Sequence, residues 1–252
     1  MSGHSKWHSI KHKKGLADAK KGAVFTKHAK LIALAAKSGG DPETNPGLRV
    51  AIDDAKVDNV PNLNIERAIK RGTGELKDEM EITEGFYDAY GPSGTAFFIQ
   101  YLTDNKNRTL ASIKTLLNKH GGRMGEAGTV AWMFEHKGII QIEADKEKHE
   151  EIELASIDAG AEDFESEENS INIYTESANL HEVKKRLEEN GYKIEMCKLI
   201  FKPKNSIKIS DKEEAAKVIK LVSLLEDDED VVNVFSNFDI EENLLNEIMG
   251  EE

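Results

Sequence analysis

The chain has few of the features that mark secreted or membrane proteins. Cys197 is the only cysteine among 252 residues, so no disulfide can form within the chain, which fits a reducing compartment. No apolar run approaches the roughly 18–20 residues that span a bilayer, and the first residues contain no apolar secretory core. We therefore expect a cytoplasmic protein without a membrane partner.

Motifs for nucleotide and metal chemistry are also missing. The glycine-rich segment Gly121–Gly128 has neither the spacing nor the lysine of a phosphate-binding P-loop. His149 and His181 each begin a pattern like that of a zinc-protease helix, but the second histidine, four residues on, is absent in both. We therefore expect a non-enzymatic protein without a cofactor or a metal.

Carboxylates are nearly absent from the first forty residues. These residues hold nine lysines and a single acid, Asp18, which is a formal charge of +8 in a chain whose total is −13. The other 212 residues therefore carry −21. Such an asymmetry is typical of a cationic segment that binds a polyanion, most often nucleic acid, and that is joined to an acidic body.

Residues 1–22 are polar and lack a sustained apolar face, which predicts a flexible basic arm. Trp7 either stacks on a base or packs on the body behind it. The histidines at 4, 8 and 12 have helical spacing, but the surrounding lysines disfavour a metal ion and favour phosphate or base contacts. The candidate nucleic-acid contacts in this region are Lys6, Trp7, His8, Lys11, His12, Lys13, Lys14, Lys20 and Lys21.

The periodicity of residues 23–37 predicts a helix with Phe25, Ile32 and two alanines on one side. Three lysines, Lys27, Lys30 and Lys37, fall on the other side, and Lys20 joins them if the helix extends back to it. This face is either a solvated surface or a phosphate-binding surface, and the adjoining basic arm favours the second. The alanine-rich apolar side suits bundle packing better than a membrane.

Two further helices are predicted. The second helix should begin at Asn45-Pro46, an N-cap followed by a first-turn proline, and the third helix should end at Gly72. We add Arg67, Lys70 and Arg71, on the outer face of this last helix, to the candidate nucleic-acid contacts.

The pattern then changes to strands mixed with helices, and we predict an α+β fold. The predicted strands include Thr129–Glu135, Gly138–Glu143 and Ile207–Ile209. Residues 138–201 have the order β-α-β-β-α-β of a ferredoxin-like domain, and two strand–helix–strand units around them, at 95–135 and 205–236, would complete a second such domain. The predicted domains are an arm (1–22), a three-helix domain (23–80), a discontinuous α/β domain (81–136 with 203–240), an inserted ferredoxin-like domain (137–202) and an acidic tail (241–252).

Several motifs in chain order resemble the YebC/PmpR family. They are Gly3–Trp7, Ile10–Lys14, Phe25–Lys27, Gly39–Asn45, Ile65–Gly72, Tyr90–Pro92, Leu102–Thr109 and Asn233–Asp239. The resemblance implies a helical N-terminal domain and two α/β domains of ferredoxin-like character, one nested in the other. It also implies a non-enzymatic role in the bacterial cytoplasm.

The resemblance leaves two functions open. Family members are described as DNA-binding transcriptional regulators, whereas others resemble translation factors that bind ribosomal or transfer RNA and relieve stalls at proline-rich sequences. Both use a basic arm, so the expected partner is nucleic acid and, in the second case, the ribosome. The oligomeric state, monomer or weak dimer, stays open.

Overall fold

A computed structural model describes residues 21–76 and 80–250. The contacts within the chain define two compact units: Trp132–Ser206 is one, and the described parts of 3–131 and 207–252 form the other. The helices are α1 (Lys21–Ala36), α2 (Pro46–Val57), α3 (Asn62–Gly72), α4 (Lys106–Lys119), α5 (His149–Ala159), α6 (Leu180–Glu189), α7 (Lys212–Asp227) and α8 (Glu242–Gly250). The strands are β1 (Thr83–Tyr90), β2 (Ala96–Thr103), β3 (Arg123–Met124), β4 (Phe134–Glu143), β5 (Asp163–Ser166), β6 (Ser170–Glu176), β7 (Ile194–Pro203), β8 (Ile207–Ile209), β9 (Val231–Ser236) and β10 (Phe238–Ile240).

Helices α1 to α3 form a small bundle. The side chain of Asn45 accepts a hydrogen bond from the amide of Leu48, and Pro46 takes the first helical position, so α2 begins where the sequence predicts. The apolar positions spaced three and four residues apart meet in one core. Its buried members are Ile32, Ala36, Leu48, Ile52, Ala55, Val60, Ile65 and Ala68.

The α/β domain that continues the larger unit is built on a four-stranded sheet in the order β3-β1-β2-β9. Strands β1 and β2 form an antiparallel hairpin, and β9 adds antiparallel to β2. Helices α4 and α7 bury their apolar faces with this sheet in one core, to which α8 also contributes. This packing places the start of α4 beside the turn between α7 and β9.

The unit Trp132–Ser206 has an antiparallel sheet in the order β5-β6-β4-β7. Numbered within the unit, this order is 2-3-1-4, and helices α5 and α6 follow the first and third strands. It is the ferredoxin-like order that the sequence predicts. The apolar side chains of both helices share a core with the sheet.

Two local predictions are wrong. Thr129–Glu135 is not a strand: the Val130 amide donates to the buried Asp88 carboxylate at 3.0 Å, and a 3-10 turn occupies Ala131–Met133. Strand β4 therefore begins only at Phe134 and runs without a break through Gly138. Because side chains make hydrogen bonds to the backbone groups of this segment, it needs no pairing with another strand.

The second error concerns β8, which was expected to join the main sheet. It pairs in parallel with β10 instead, in a separate two-stranded sheet. The described part of the predicted acidic tail, 241–252, contains helix α8, which buries Leu245, Ile248 and Met249 at helical spacing.

Candidate nucleic-acid interface

The lysine face of α1 lies against the α/β domain. The Nζ of Lys30 donates to the carbonyl of Glu229 at 2.7 Å and pairs with the carboxylate of Asp230, and Lys30 is only 5% exposed. Lys27 donates to the carbonyl of Glu226. The predicted phosphate-binding surface on α1 is therefore wrong at Lys30, because the turn between α7 and β9 uses this ammonium group as its donor.

Asp230 is the centre of a buried polar cluster. Its carboxylate accepts hydrogen bonds from Lys30, from Arg108 at 2.9 Å and from the hydroxyl of Thr109 at 2.7 Å. Burial opposes ionisation of Asp230, but these donors outweigh it and hold its pKa below the ordinary value. The cluster joins α1, the start of α4 and the start of β9.

A second carboxylate, Asp104, bonds α3 to α4. It lies 3.1 Å from a guanidinium nitrogen of Arg71 and 3.1 Å from one of Arg108. Burial raises its pKa and the two guanidinium groups lower it, with a net decrease. Arg71 also donates to the carbonyl of Met80 at 2.8 Å. The structure thus gives Arg71 a role in holding α3 in place.

Lys37, at the end of the same face of α1, is also bonded to the α/β domain. Its ammonium group donates to the carbonyl of Ile82 and to the carboxylate of Glu81, both at 2.6 Å. The hydrogen bond from Lys37 lowers the pKa of Glu81. All three lysines predicted on this face of α1 therefore bond to residues of the α/β domain.

Arg67 and Lys70 are the two predicted contacts that the structure places on an exposed surface. Both lie on α3 and line a shallow depression together with Leu63, Glu66 and Leu76. The predicted contacts outside the described residues are Lys6, Trp7, His8, Lys11, His12, Lys13, Lys14 and Lys20, and the side chain of Lys21 is not described either.

The described residues contain no arrangement of histidine, cysteine and carboxylate side chains that could hold a metal ion. Burial raises the pKa of the Cys197 thiol, which keeps it protonated and weakly nucleophilic. No described helix is both long and apolar enough to cross a membrane.

Asp230, which is buried, and Asp104, which is partly exposed, predict an acid-sensitive stability. Both folded-state pKa values lie below the 3.8 of the free side chain, so Asp104 and Asp230 stabilise the fold fully above about pH 4. This contribution is lost as the pH falls through the lowered values. We expect the urea midpoint to fall from pH 5 to pH 3, and to fall less steeply in Asp230→Asn, which has one such carboxylate fewer. Equal slopes in the two proteins would contradict the assignment for Asp230.

The described fold is that of a multidomain α+β protein in which polar contacts tie a helical bundle to an α/β domain. Two family profiles match the chain: the TACO1/YebC N-terminal domain over residues 5–75, and the TACO1/YebC second and third domains over residues 82–238. The chain therefore belongs to the TACO1/YebC family.

Full-length relatives agree with this placement. A protein of Halothermothrix orenii is 46% identical over all of both chains, and one of Thermotoga maritima is 49% identical over 99% of this chain and 98% of its own. Each is named "Probable transcriptional regulatory protein". The crystal structure of a conserved hypothetical protein from Aquifex aeolicus matches with a TM-score of 0.79 and 42% identity, covering 89% of this chain and 92% of that one.

Proposed function

We propose that this protein is a non-enzymatic, cytoplasmic regulator of gene expression that binds DNA through its basic N-terminal arm. The observation that carries the proposal is the charge of residues 1–40, nine lysines against one acid in a chain of net charge −13. Clustered lysines next to phosphates release condensed counterions, which is the main source of sequence-independent affinity for nucleic acid. The names of the relatives support a role in transcription regulation.

The contacts of α1 indicate two different roles for the lysines of the N-terminal region, one in holding α1 in place and one in binding phosphates. Lys30 and Lys37 bond to the α/β domain, so they hold the helix in place. Phosphate binding then falls on the arm lysines and on the exposed Arg67 and Lys70 of α3. The negative charge of the rest of the chain repels nucleic acid elsewhere, which favours binding in a single orientation.

A translation factor acting on ribosomal or transfer RNA is the second candidate. The first forty residues contain no arginine, asparagine or glutamine, the side chains that most often read base edges in the major groove. They contain Trp7 and several histidines, which can stack on unpaired bases. This composition favours contact with a phosphate backbone and exposed bases over the reading of a duplex sequence.

The affinity for nucleic acid should depend steeply on salt concentration. If the arm makes about six phosphate contacts, log affinity should fall with log salt concentration at a slope of about −4 to −5. Replacing Lys11, Lys13 and Lys14 by alanine in one variant should make the slope of log affinity against log salt less steep by about 2–3. The melting temperature should stay nearly unchanged. Fluorescence anisotropy with a labelled 30-base-pair duplex at several salt concentrations measures the slope, and calorimetry measures the melting temperature.

The matched control replaces Lys184, Lys185 and Lys193 with alanine. These three lysines pair with glutamates in the unit Trp132–Ser206. Replacing them removes the same formal charge as the arm variant does, but at positions far from the arm in sequence. The control should bind like the unaltered protein. A slope near zero in the unaltered protein would contradict the phosphate contacts.

Crosslinking in living cells separates the two candidates. Ultraviolet crosslinking followed by sequencing of the bound nucleic acid should recover discrete promoter DNA if the protein regulates transcription. Recovery of mainly ribosomal or transfer RNA, lost when residues 1–22 are deleted, would instead favour the translation factor and make any promoter effect indirect.

A further inference from the structure

A second cationic segment lies in the α/β domain, far from the arm in sequence. Residues 105–125, which comprise α4, the following turn and β3, carry five lysine or arginine side chains and no carboxylate. The chain has 47 acids in 252 residues, so a stretch of 21 would hold about four on average. The lack of acids here is therefore a property of this segment and not of the chain.

Helix α4 divides into a buried and an exposed face. Thr109, Ile113 and Leu117 are buried against the domain core. The outward face carries no acid. The exposed residues of the helix are Lys106, Asn107, Arg108, Leu110, Ala111, Lys114, Thr115, Asn118 and Lys119, with Lys106 and Lys119 at its two ends. At 1.5 Å per residue, Lys106 and Lys119 are separated by about 20 Å along the helix axis, which several phosphates of one strand can span.

The lysines of α4 differ from two lysines of the neighbouring helix α7. On α7, Lys212 pairs with Glu247 at 2.6 Å and Lys217 with Glu214 at 2.7 Å. Within the described ranges, Lys106, Lys114 and Lys119 have no such ion pair. An exposed ammonium group that pairs with no carboxylate is available to an external anion at little cost in broken contacts.

The turn after α4 adds one more cation in a defined position. The guanidinium group of Arg123, on the edge strand β3, lies 4.8 Å from the centre of the Tyr90 ring, and its side chain is exposed. A cation stacked on an aromatic ring has fewer conformations to lose when it binds. Arg123 therefore extends the cationic surface past the end of α4.

This surface begins next to the elements that carry the other candidate contacts. Asp230 accepts from both Lys30 of α1 and Arg108 of α4, so the middle of α1 lies beside the first turn of α4. Ser112, further along α4, donates to Asp228 in the same turn. On the other side, Asp104 joins Arg108 to the end of α3. A polyanion held by the arm, which precedes α1 in the chain, thus has α4 within reach.

We propose that the outward face of α4, with Arg123, is a second binding surface for the phosphate backbone of a nucleic acid. This inference rests on the proposed function and extends it, since one nucleic acid would contact both the arm and α4. The lysines neutralise phosphates, while the amides of Asn107 and Asn118 donate hydrogen bonds to phosphate oxygens. These contacts are independent of base sequence.

The test replaces Lys106, Lys114 and Lys119 with glutamine, which keeps most of each side chain and removes the charge. The matched control is Lys212→Gln, Lys217→Gln and Lys220→Gln on α7 of the same domain. Affinity is measured over a range of salt concentrations with a mixed-sequence 30-base-pair duplex and with a 30-nucleotide RNA. Melting temperature, which we expect to stay the same because the α4 side chains are exposed, shows that each variant folds.

We expect the α4 variant to bind roughly 50- to 150-fold more weakly at 0.15 M salt, with a slope less steep by about 2–3, whereas the α7 control binds normally. If the α4 variant loses affinity for the duplex, DNA is identified as the ligand. If it loses affinity only for the RNA, the ligand is RNA. If the unaltered protein binds and the α4 variant binds equally well, the inference about α4 is wrong and the proposed function stands. If the unaltered protein binds neither probe, both are wrong.

The single substitution Lys114→Glu provides a second measurement. Placing a carboxylate at the centre of the outward face adds repulsion to the loss of a cation, so it should weaken binding more than Lys114→Gln does. Equal affinities for the two substitutions would also overturn the proposal, because they would show that no phosphate lies near this position.

Discussion

Asp230→Ala should lower the free energy of unfolding by about 3–5 kcal/mol, the loss expected when one partner of a buried ion pair is removed. The substitution leaves Lys30 buried beside α7 without its carboxylate, and it removes an acceptor from Arg108 and from the hydroxyl of Thr109. The cost comes mainly from the groups that remain, since the buried ammonium group of Lys30 would keep the Glu229 carbonyl but have no opposite charge beside it.

Urea unfolding followed by circular dichroism measures this loss, and Glu229→Ala is the matched control. Glu229 lies next to Asp230 and is exposed, and Lys30 bonds to its backbone carbonyl, which the substitution retains. The control should therefore change stability by less than about 0.5 kcal/mol. A loss below about 1 kcal/mol in Asp230→Ala would show that water replaces the carboxylate.

A double substitution separates the ion pair from the rest of the cluster. Lys30→Met removes the charge and keeps an apolar side chain of similar length, so Lys30→Met with Asp230→Ala leaves no buried ammonium group. We expect the double variant to be more stable than the sum of the two single losses predicts, by about 1–3 kcal/mol. Additive losses would contradict a direct pairing of the two side chains.

Gly72→Ala should cost about 2–3 kcal/mol, as overpacking of a close contact does. A Cβ atom at Gly72 would lie 2.2 Å from the carbonyl oxygen of Ala33 and 2.6 Å from the Cβ of Ala36. Both are on α1, and one is backbone, so the contact is relieved only if α1 and α3 move apart. That movement would also disturb the polar contacts of Lys30 and Arg71.

The same substitution at Gly47 is the control, and its effect should have the opposite sign. In α2, a Cβ at Gly47 meets only the side chain of Asn45 at 3.6 Å, an ordinary contact. Alanine in a helix is favoured over glycine by up to about 1 kcal/mol, so Gly47→Ala should be neutral or stabilising. Thermal unfolding of both variants tests the pair, and similar losses in the two would rule out the close approach at Gly72 as the cause.

Local patterns predicted much of the secondary structure. The inward position of Ile32 on the first helix was correct, since helical periodicity depends only on neighbouring residues. The ferredoxin-like order of the inserted unit was correct for the same reason. The predicted strand at Thr129–Glu135 was wrong because the Val130 amide donates to the side chain of Asp88, which is distant in sequence. The spacing of residues along the chain cannot predict such a contact.

At Gly72 the predicted helix end was correct, but the reason for a glycine at this position was not visible in the local sequence. The sequence pattern predicts that α3 ends at this glycine, and α3 does end there. Yet the residue has no positive φ, which would mark a glycine cap, and the helix is capped at Thr73. The glycine is needed because α1 approaches α3 closely at this point, which is a tertiary contact.

The sequence by itself determined the charge asymmetry, the helical periods and the family resemblance, because these depend on residues close together in the chain or on simple counts. Only the tertiary structure decided which cations have partners. A lysine on the polar side of a helix has the same periodicity whether it faces water or a buried carboxylate. Lys30 and Asp230 are 200 residues apart, and their contact exists only once α1 packs against the α/β domain.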